Sequence, residues 1–177
     1  DEYVIKSLKE QGAPIDIFGV GTNLVTGKPD AALDGVYKLS EFNGDPRIKL
    51  SENISKVSLP YKKQVYRMLD NNGMFYGADA IAMFTEDKVT KIEHSFDATK
   101  SLDLNTYKHE PLLEKVMKDG KRVVAPRTVA EISKYSKSRL EQLPYEYKRF
   151  QNPHIYKIGL SIQLKQERDK LVQKHKF

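Results

Sequence analysis

A chain of 177 residues is long enough for one domain with a real core and an appendage. Its 39% hydrophobic and 31% charged residues exclude a disordered chain, and no run approaches the roughly 18 apolar residues of a spanning helix. The absence of cysteine excludes disulfides and thiolate metal sites, while a net charge of +6 favours anionic partners. No charged-then-apolar leader is visible, so the cytosol is the expected compartment. The sequon Asn53-Ile54-Ser55 is therefore read as ordinary sequence. The chain opens at Asp1, already in a helical pattern, and we expect it to be a segment of a longer protein.

Asp1 is a cap for a short helix in which Val4, Ile5 and Leu8 recur at helical spacing, ending near Gly12. The alternation in Ile15-Asp16-Ile17-Phe18 predicts a buried strand running into Gly19-Val20-Gly21-Thr22-Asn23. Residues 34–42 (DGVYKLSEF) read as a strand. Asn43-Gly44 is a strong hairpin signal, and residues 47–51 form the returning strand. Residues 63–69 predict another strand, closed by Asn71-Asn72-Gly73. Residues 74–84 predict its neighbour, with Gly77 as a bulge. A short helix is expected over 112–118 after Pro111, ended by Gly120. Thr128-Val129-Ala130-Glu131 is a capping box for a helix that turns Ile132, Tyr135, Leu140 and Leu143 inward and stops at Pro144. Residues 161–176 form a charged final helix. The division expected is 1–110, a βα unit plus a strand cluster, and 111–177, a helical extension.

Three groups of residues bear on chemistry. Phosphate binding at a strand end needs several backbone N–H groups aimed at one point, an approach that a bulky Cβ obstructs. Gly19 and Gly21 permit it, the Thr22 hydroxyl adds a donor, and Asn23 is adjacent. A plain turn with Asn23 in a left-handed conformation is the competing reading, and by pattern alone it is the stronger. The second group is basic: Arg47, Lys49, Lys56, Lys62, Lys63 and Arg67 could share one face and meet a pyrophosphate, or could simply face water. Most are read as surface, with Lys49 and Arg67 left open. The third is the four histidines, 94, 109, 154 and 175, which show no metal-ligand spacing. No internal catalytic set is visible.

The series DEYVIKSLKEQGAPIDIFGVGTNLVT, DGVYKLSEFNGDPRIKLSEN and KQVYRMLD, followed by EYKRFQNPHIYKIGLSIQL, resembles the carboxy-terminal half of the nicotinate phosphoribosyltransferases. The resemblance is densest over residues 1–69 and 145–160. One departure stands out: after Leu59-Pro60 the family pattern has glycine, where this chain has Tyr61. A positive φ there would strain the tyrosine.

The resemblance implies an α/β fold: the C-terminal part of an irregular α/β barrel of the phosphoribosyltransferase kind, with added antiparallel strands and a helical tail. It implies an enzyme of NAD biosynthesis, working as a homodimer, that forms nicotinate mononucleotide from nicotinate and phosphoribosyl pyrophosphate. ATP hydrolysis is coupled through a phosphohistidine, with Mg2+ bound mostly by pyrophosphate oxygens. Gly19, Gly21 and Thr22 match the loop that holds the ribosyl 5′-phosphate, with Asn23 beside it. The phosphohistidine and the nicotinate site are expected upstream of Asp1, in an N-terminal half. The chain alone is expected to be inactive, with no metal site of its own. The alternative is a basic module that binds RNA or another polyanion without catalysis, which needs aromatic residues interleaved with cations on one exposed face. Val36, Leu39 and Val65 make ordinary core positions the better reading there, and nucleic acid is not the expected partner.

Overall fold

The computed structural model describes residues 1–28, 31–32, 35–53, 56–97 and 99–175. Ile54 and Ser55 of the sequon, Asp34 at the start of an expected strand and Lys176 at the end of the expected tail helix lie outside them. The fold is mixed α/β, with a six-stranded sheet and a helical tail. Two compact units divide the chain, Asp1–Tyr37 and Lys38–Phe177.

In the first unit, helix α1 spans Glu2–Glu10. The Asp1 carboxylate accepts from the backbone N–H groups of Tyr3 and Val4 at 3.1 and 3.0 Å, satisfying donors that the first turn leaves over. The strand expected at residues 15–18 does not form, and Ile17 is 88% exposed. A strand needs a neighbouring ladder, and no strand lies among the described residues of this unit. The chain instead passes Gly19 to Gly21 and enters the single-turn helix α2, Thr22–Thr26.

The second unit begins with a minimal hairpin, β1 (Glu41–Phe42) and β2 (Asp45–Pro46). Asn43 and Gly44 both take positive φ, 52° and 83°, as a two-residue hairpin turn requires. The strands are far shorter than the apolar alternation predicts. Pro46 lacks the N–H that would extend the ladder, and Val36, Tyr37 and Leu39 stand exposed.

β3 (Lys63–Leu69) and β4 (Phe75–Met83) follow as expected, and β3 alternates strictly between buried and half-buried positions. Their antiparallel register slips between Arg67↔Asp79 and Leu69↔Phe75, so β4 advances four residues while β3 advances two. Gly77, at φ 87°, lies in that bulge, and a Cβ there would come within 1.9 Å of the Tyr147 hydroxyl oxygen.

The sheet is completed by β5 (Lys91–Glu93), β6 (Ser101–Asp103) and β7 (Lys108–Pro111). Strand β10 (Lys157–Ser161) arrives from far along the chain. The order is β6-β5-β10-β4-β3-β7, antiparallel except where β10 runs parallel to β4. On one face Tyr66 and Met68 of β3 and Ala78, Ala80 and Ala82 of β4 join Val89, Ile92 and Leu104 in the core. The small alanines let the connecting loops approach closely.

Residues 111–177 carry helices and strands together. The expected helix at 112–118 is instead a hairpin, β8 (Met117–Lys118) and β9 (Lys121–Arg122). Asp119 and Gly120 both take positive φ, the same two-residue turn chemistry as Asn43-Gly44. Helix α3 (Val129–Gln142) has the capping box: Thr128 Oγ1 accepts from Glu131 N–H, and Glu131 Oε2 accepts from Thr128 N–H. Its apolar stripe does not turn inward. Ile132, Tyr135 and Leu140 are each more than half exposed, and no α3 residue is buried.

A four-residue helix, α4 (Tyr145–Lys148), leads towards β10, and α5 (Ile162–Lys174) follows directly. Ser161 both caps α5 and donates to Glu86 Oε2 at 2.6 Å. Leu164 and Arg168, four residues apart, are the buried side chains of α5.

Candidate functional site

The glycine loop lies beside α1 within the first unit. A cavity of about 330 Å³ is bordered by Val4, Ile5 and Leu8 on one side and by residues 18–23 on the other. Gly21 is the N-cap of α2 and has no side chain to accept from the amides of the first turn. Thr22 opens the helix, and its carbonyl accepts from Thr26 Oγ1 at 2.6 Å. Asn23 is helical, so the competing reading, a plain turn with Asn23 left-handed, is not what forms. Neither Gly19 nor Gly21 has positive φ, and an added Cβ at either would meet no atom within 4 Å.

The basic residues do not assemble into one free face. Arg67 donates from Nε and Nη2 to the two oxygens of Asp79, at 3.1 and 3.0 Å, and that bond holds its guanidinium firmly protonated. The Tyr156 hydroxyl donates to the same carboxylate at 2.7 Å, and burial with that bond raises its pKa. Arg47 lies 3.7 Å from Asp45, and the Lys62 ammonium sits 3.6 Å above the Phe84 ring. Lys63 turns back on its own loop and donates to the carbonyls of Leu59, Pro60 and Tyr61; burial pushes its pKa down. Lys49 and Lys56 contribute mainly backbone groups.

Tyr61 itself adopts φ 62°. Its N–H donates to Ser40 O at 2.7 Å, tying the turn to the β1–β2 hairpin. Burial, then the nearby Glu167 carboxylate to which the phenol is hydrogen-bonded, raise its pKa. The histidines stay apart in ordinary roles: His109 Nε2 lies 2.8 Å from Val89 O, and His154 meets the Tyr147 ring edge-on. Among the described residues no three His, Asp or Glu side chains converge as metal ligands.

Comparison with known proteins bears directly on this arrangement. The family model described as the nicotinate phosphoribosyltransferase C-terminal domain matches residues 62–168, the stretch from the Tyr61 turn into α5. The chain belongs to the nicotinate phosphoribosyltransferase family. It is 33% identical over 169 residues to the nicotinate phosphoribosyltransferase of Bacillus subtilis, covering 91% of this chain and 34% of that protein. The Caenorhabditis elegans enzyme is likewise 33% identical over 173 residues, covering 94% of this chain and 30% of that one. The chain therefore spans about a third of the length of these family members. The crystal structure of human nicotinic acid phosphoribosyltransferase shares the fold, with a TM-score of 0.65 at 24% identity over 80% of this chain and 27% of that one.

Sequence reasoning missed one feature of this family domain. Beside β10 lies a cleft of about 800 Å³, bordered by the ends of β5 and β6. The run Lys157-Ile-Gly-Leu-Ser161 has the length and apolar content of a buried strand, and it was the available signal.

Proposed function

We propose that the protein of which this chain is part forms nicotinate mononucleotide from nicotinate and phosphoribosyl pyrophosphate, within NAD biosynthesis, with ATP hydrolysis coupled to the reaction. We assign to the loop Gly19-Val20-Gly21-Thr22, with Asn23, the task of holding the ribosyl 5′-phosphate. The observation that carries this reading is a glycine loop beside a cavity in a chain of this family, with no described atom within 4 Å of where a Cβ at Gly19 or Gly21 would sit. Backbone N–H groups around Gly21 and the Thr22 hydroxyl are donors suited to phosphate oxygens. Anchoring the phosphate restricts the ribose and presents C1 to the nicotinate nitrogen, so the loop acts by positioning.

In the same reading, Asp1–Tyr37 is the last βα unit of an irregular barrel, and residues 15–18 extend where a neighbouring strand supplies a ladder. The phosphohistidine and the nicotinate site belong to the upstream part of a cytosolic homodimer. In this reading Mg2+ is bound mostly by the oxygens of the pyrophosphate, and the loop's task does not depend on it.

The experiment is steady-state kinetics of the complete enzyme with Thr22→Ala. The KM for phosphoribosyl pyrophosphate should rise about tenfold, the loss of one charge-assisted hydrogen bond, with a smaller change for nicotinate. Lys49→Ala serves as the control and should leave both unchanged. Equal KM values for Thr22→Ala and the wild type would remove Thr22 from the site.

A further inference from the structure

Two Asn-Gly pairs stand in turns of the second unit, Asn43-Gly44 and Asn72-Gly73, and as dipeptides they are identical. Their glycines share a left-handed backbone, with φ 83° at Gly44 and 79° at Gly73. The tertiary structure treats the two pairs unequally. Gly73 N–H donates to Asp70 O at 3.1 Å, and Gly73 O accepts from Gln142 Nε2 at 3.1 Å. Asp70 Oδ1 accepts from the N–H groups of Asn72 and Met74, on either side of that glycine, at 2.8 and 2.9 Å. The turn joins β3 and β4, which span seven and nine residues in the interior of the six-stranded sheet.

Asn43-Gly44 has none of these restraints. Among the described residues neither the Gly44 N–H nor the Asn43 side-chain amide has a hydrogen-bond partner, and both residues are exposed. The hairpin that carries the turn pairs Glu41 with Pro46 and Phe42 with Asp45, continued by Arg47 N–H to Ser40 O at 2.9 Å. It forms a sheet of two strands by itself, an arrangement of marginal stability in water. Opening this turn therefore costs less than opening the turn at Asn72.

We propose that Asn43 is a site of spontaneous deamidation, and that the fold protects Asn72 in the same dipeptide. When the turn opens, the Gly44 amide nitrogen gives its proton to base and attacks the Asn43 side-chain carbonyl carbon. The new carbon–nitrogen bond closes a succinimide ring as the side-chain nitrogen leaves as ammonia. Water then adds to one of the two ring carbonyls and opens it, giving aspartate or isoaspartate. Glycine at the second position favours the attack, since no Cβ shields its nitrogen and its backbone turns freely. Either product adds a negative charge two residues from Asp45, and isoaspartate also adds a methylene to the main chain. A two-residue hairpin turn does not keep its geometry with that insertion. Ser40 O accepts from the N–H groups of both Arg47 and Tyr61, so the change is passed from the hairpin to the Tyr61 turn.

The test is to hold the complete protein in warm, mildly alkaline buffer and follow both sites over days by peptide mapping. Mass spectrometry with fragmentation that separates isoaspartate from aspartate reads the products. Deamidation at Asn43 should run at least about tenfold faster than at Asn72, the order expected when two hydrogen bonds must break first. In urea-unfolded protein the two rates should agree within about threefold, because the turn and its partners are gone. Equal rates in the native protein, a faster loss at Asn72, or no conversion at Asn43 would overturn the proposal. So would a native difference that persists in urea, which would assign it to the neighbouring side chains along the sequence.

Discussion

Arg67 and Asp79 face each other across β3 and β4, joined by two parallel hydrogen bonds at the last regular pair before the Gly77 bulge. The pair is unequally buried: the Asp79 side chain is 10% exposed and that of Arg67 is 23%. Removing the arginine leaves a buried carboxylate with the Tyr156 hydroxyl as its remaining donor. Removing the carboxylate charge leaves a guanidinium that reaches water and still stacks on Phe75 at 4.6 Å. Arg67→Met should therefore cost about 2–3 kcal/mol in urea unfolding, below the range for fully buried pairs, and Asp79→Asn about 1–2 kcal/mol. The double variant should cost less than the sum of the two. Strict additivity would mean that the bond contributes nothing of its own.

Tyr61 holds a backbone conformation in which L side chains are strained, at a turn where the family resemblance leads one to expect glycine. Its ring and hydroxyl confuse any direct test, because the phenol also bonds Glu167. Alanine and glycine both lack those groups, so their difference isolates the backbone. Tyr61→Gly should be more stable than Tyr61→Ala by about 1 kcal/mol, even though glycine carries more unfolded-state entropy. The reverse order, measured by denaturant midpoint, would show that the turn stores no strain.

Several phenols in the second unit resist ionisation. Tyr107 stacks on Tyr76 with ring centroids 3.8 Å apart, and their hydrogen bond, followed by burial, raises the Tyr107 phenol from 10.0 to about 12. Tyr66, Tyr147 and Tyr156 shift in the same direction, chiefly through burial. A raised folded-state pKa means that the native state holds the proton longer than the unfolded chain. The stabilisation is thus complete below pH 10 and is lost as pH rises from 10 towards 12. Stability measured by urea unfolding should fall through that window, while tyrosinate absorbance lags behind that of free tyrosine. Tyr107→Phe should flatten the decline. A slope unchanged by that substitution would assign the alkaline loss to other groups.

Much of the local architecture was legible in the chain. Asp1 and the pair Thr128–Glu131 named their helix starts, because a cap is a bond between residues two or three apart. Asn43-Gly44 named its turn and Gly77 its bulge, since both need backbone angles that few residues adopt. Gly120, expected to end a helix, instead closes a hairpin together with Asp119. The glycine loop could be singled out from its pattern, but the absent strand before it could not.

By itself, then, the sequence determined the caps, turns, strict alternation of β3 and family of this protein, all properties carried within short stretches or an ordered series of motifs. The tertiary structure decided what depends on distant partners. It spent Arg67 on Asp79 and left the stripe of α3 in solvent. It also set β10 parallel to β4, with a cleft along its other edge. The physical reason is that a ladder, an ion pair or a buried face exists only when two separated segments meet. Alternation or charge in one segment states a capacity for such a contact without naming the segment that meets it.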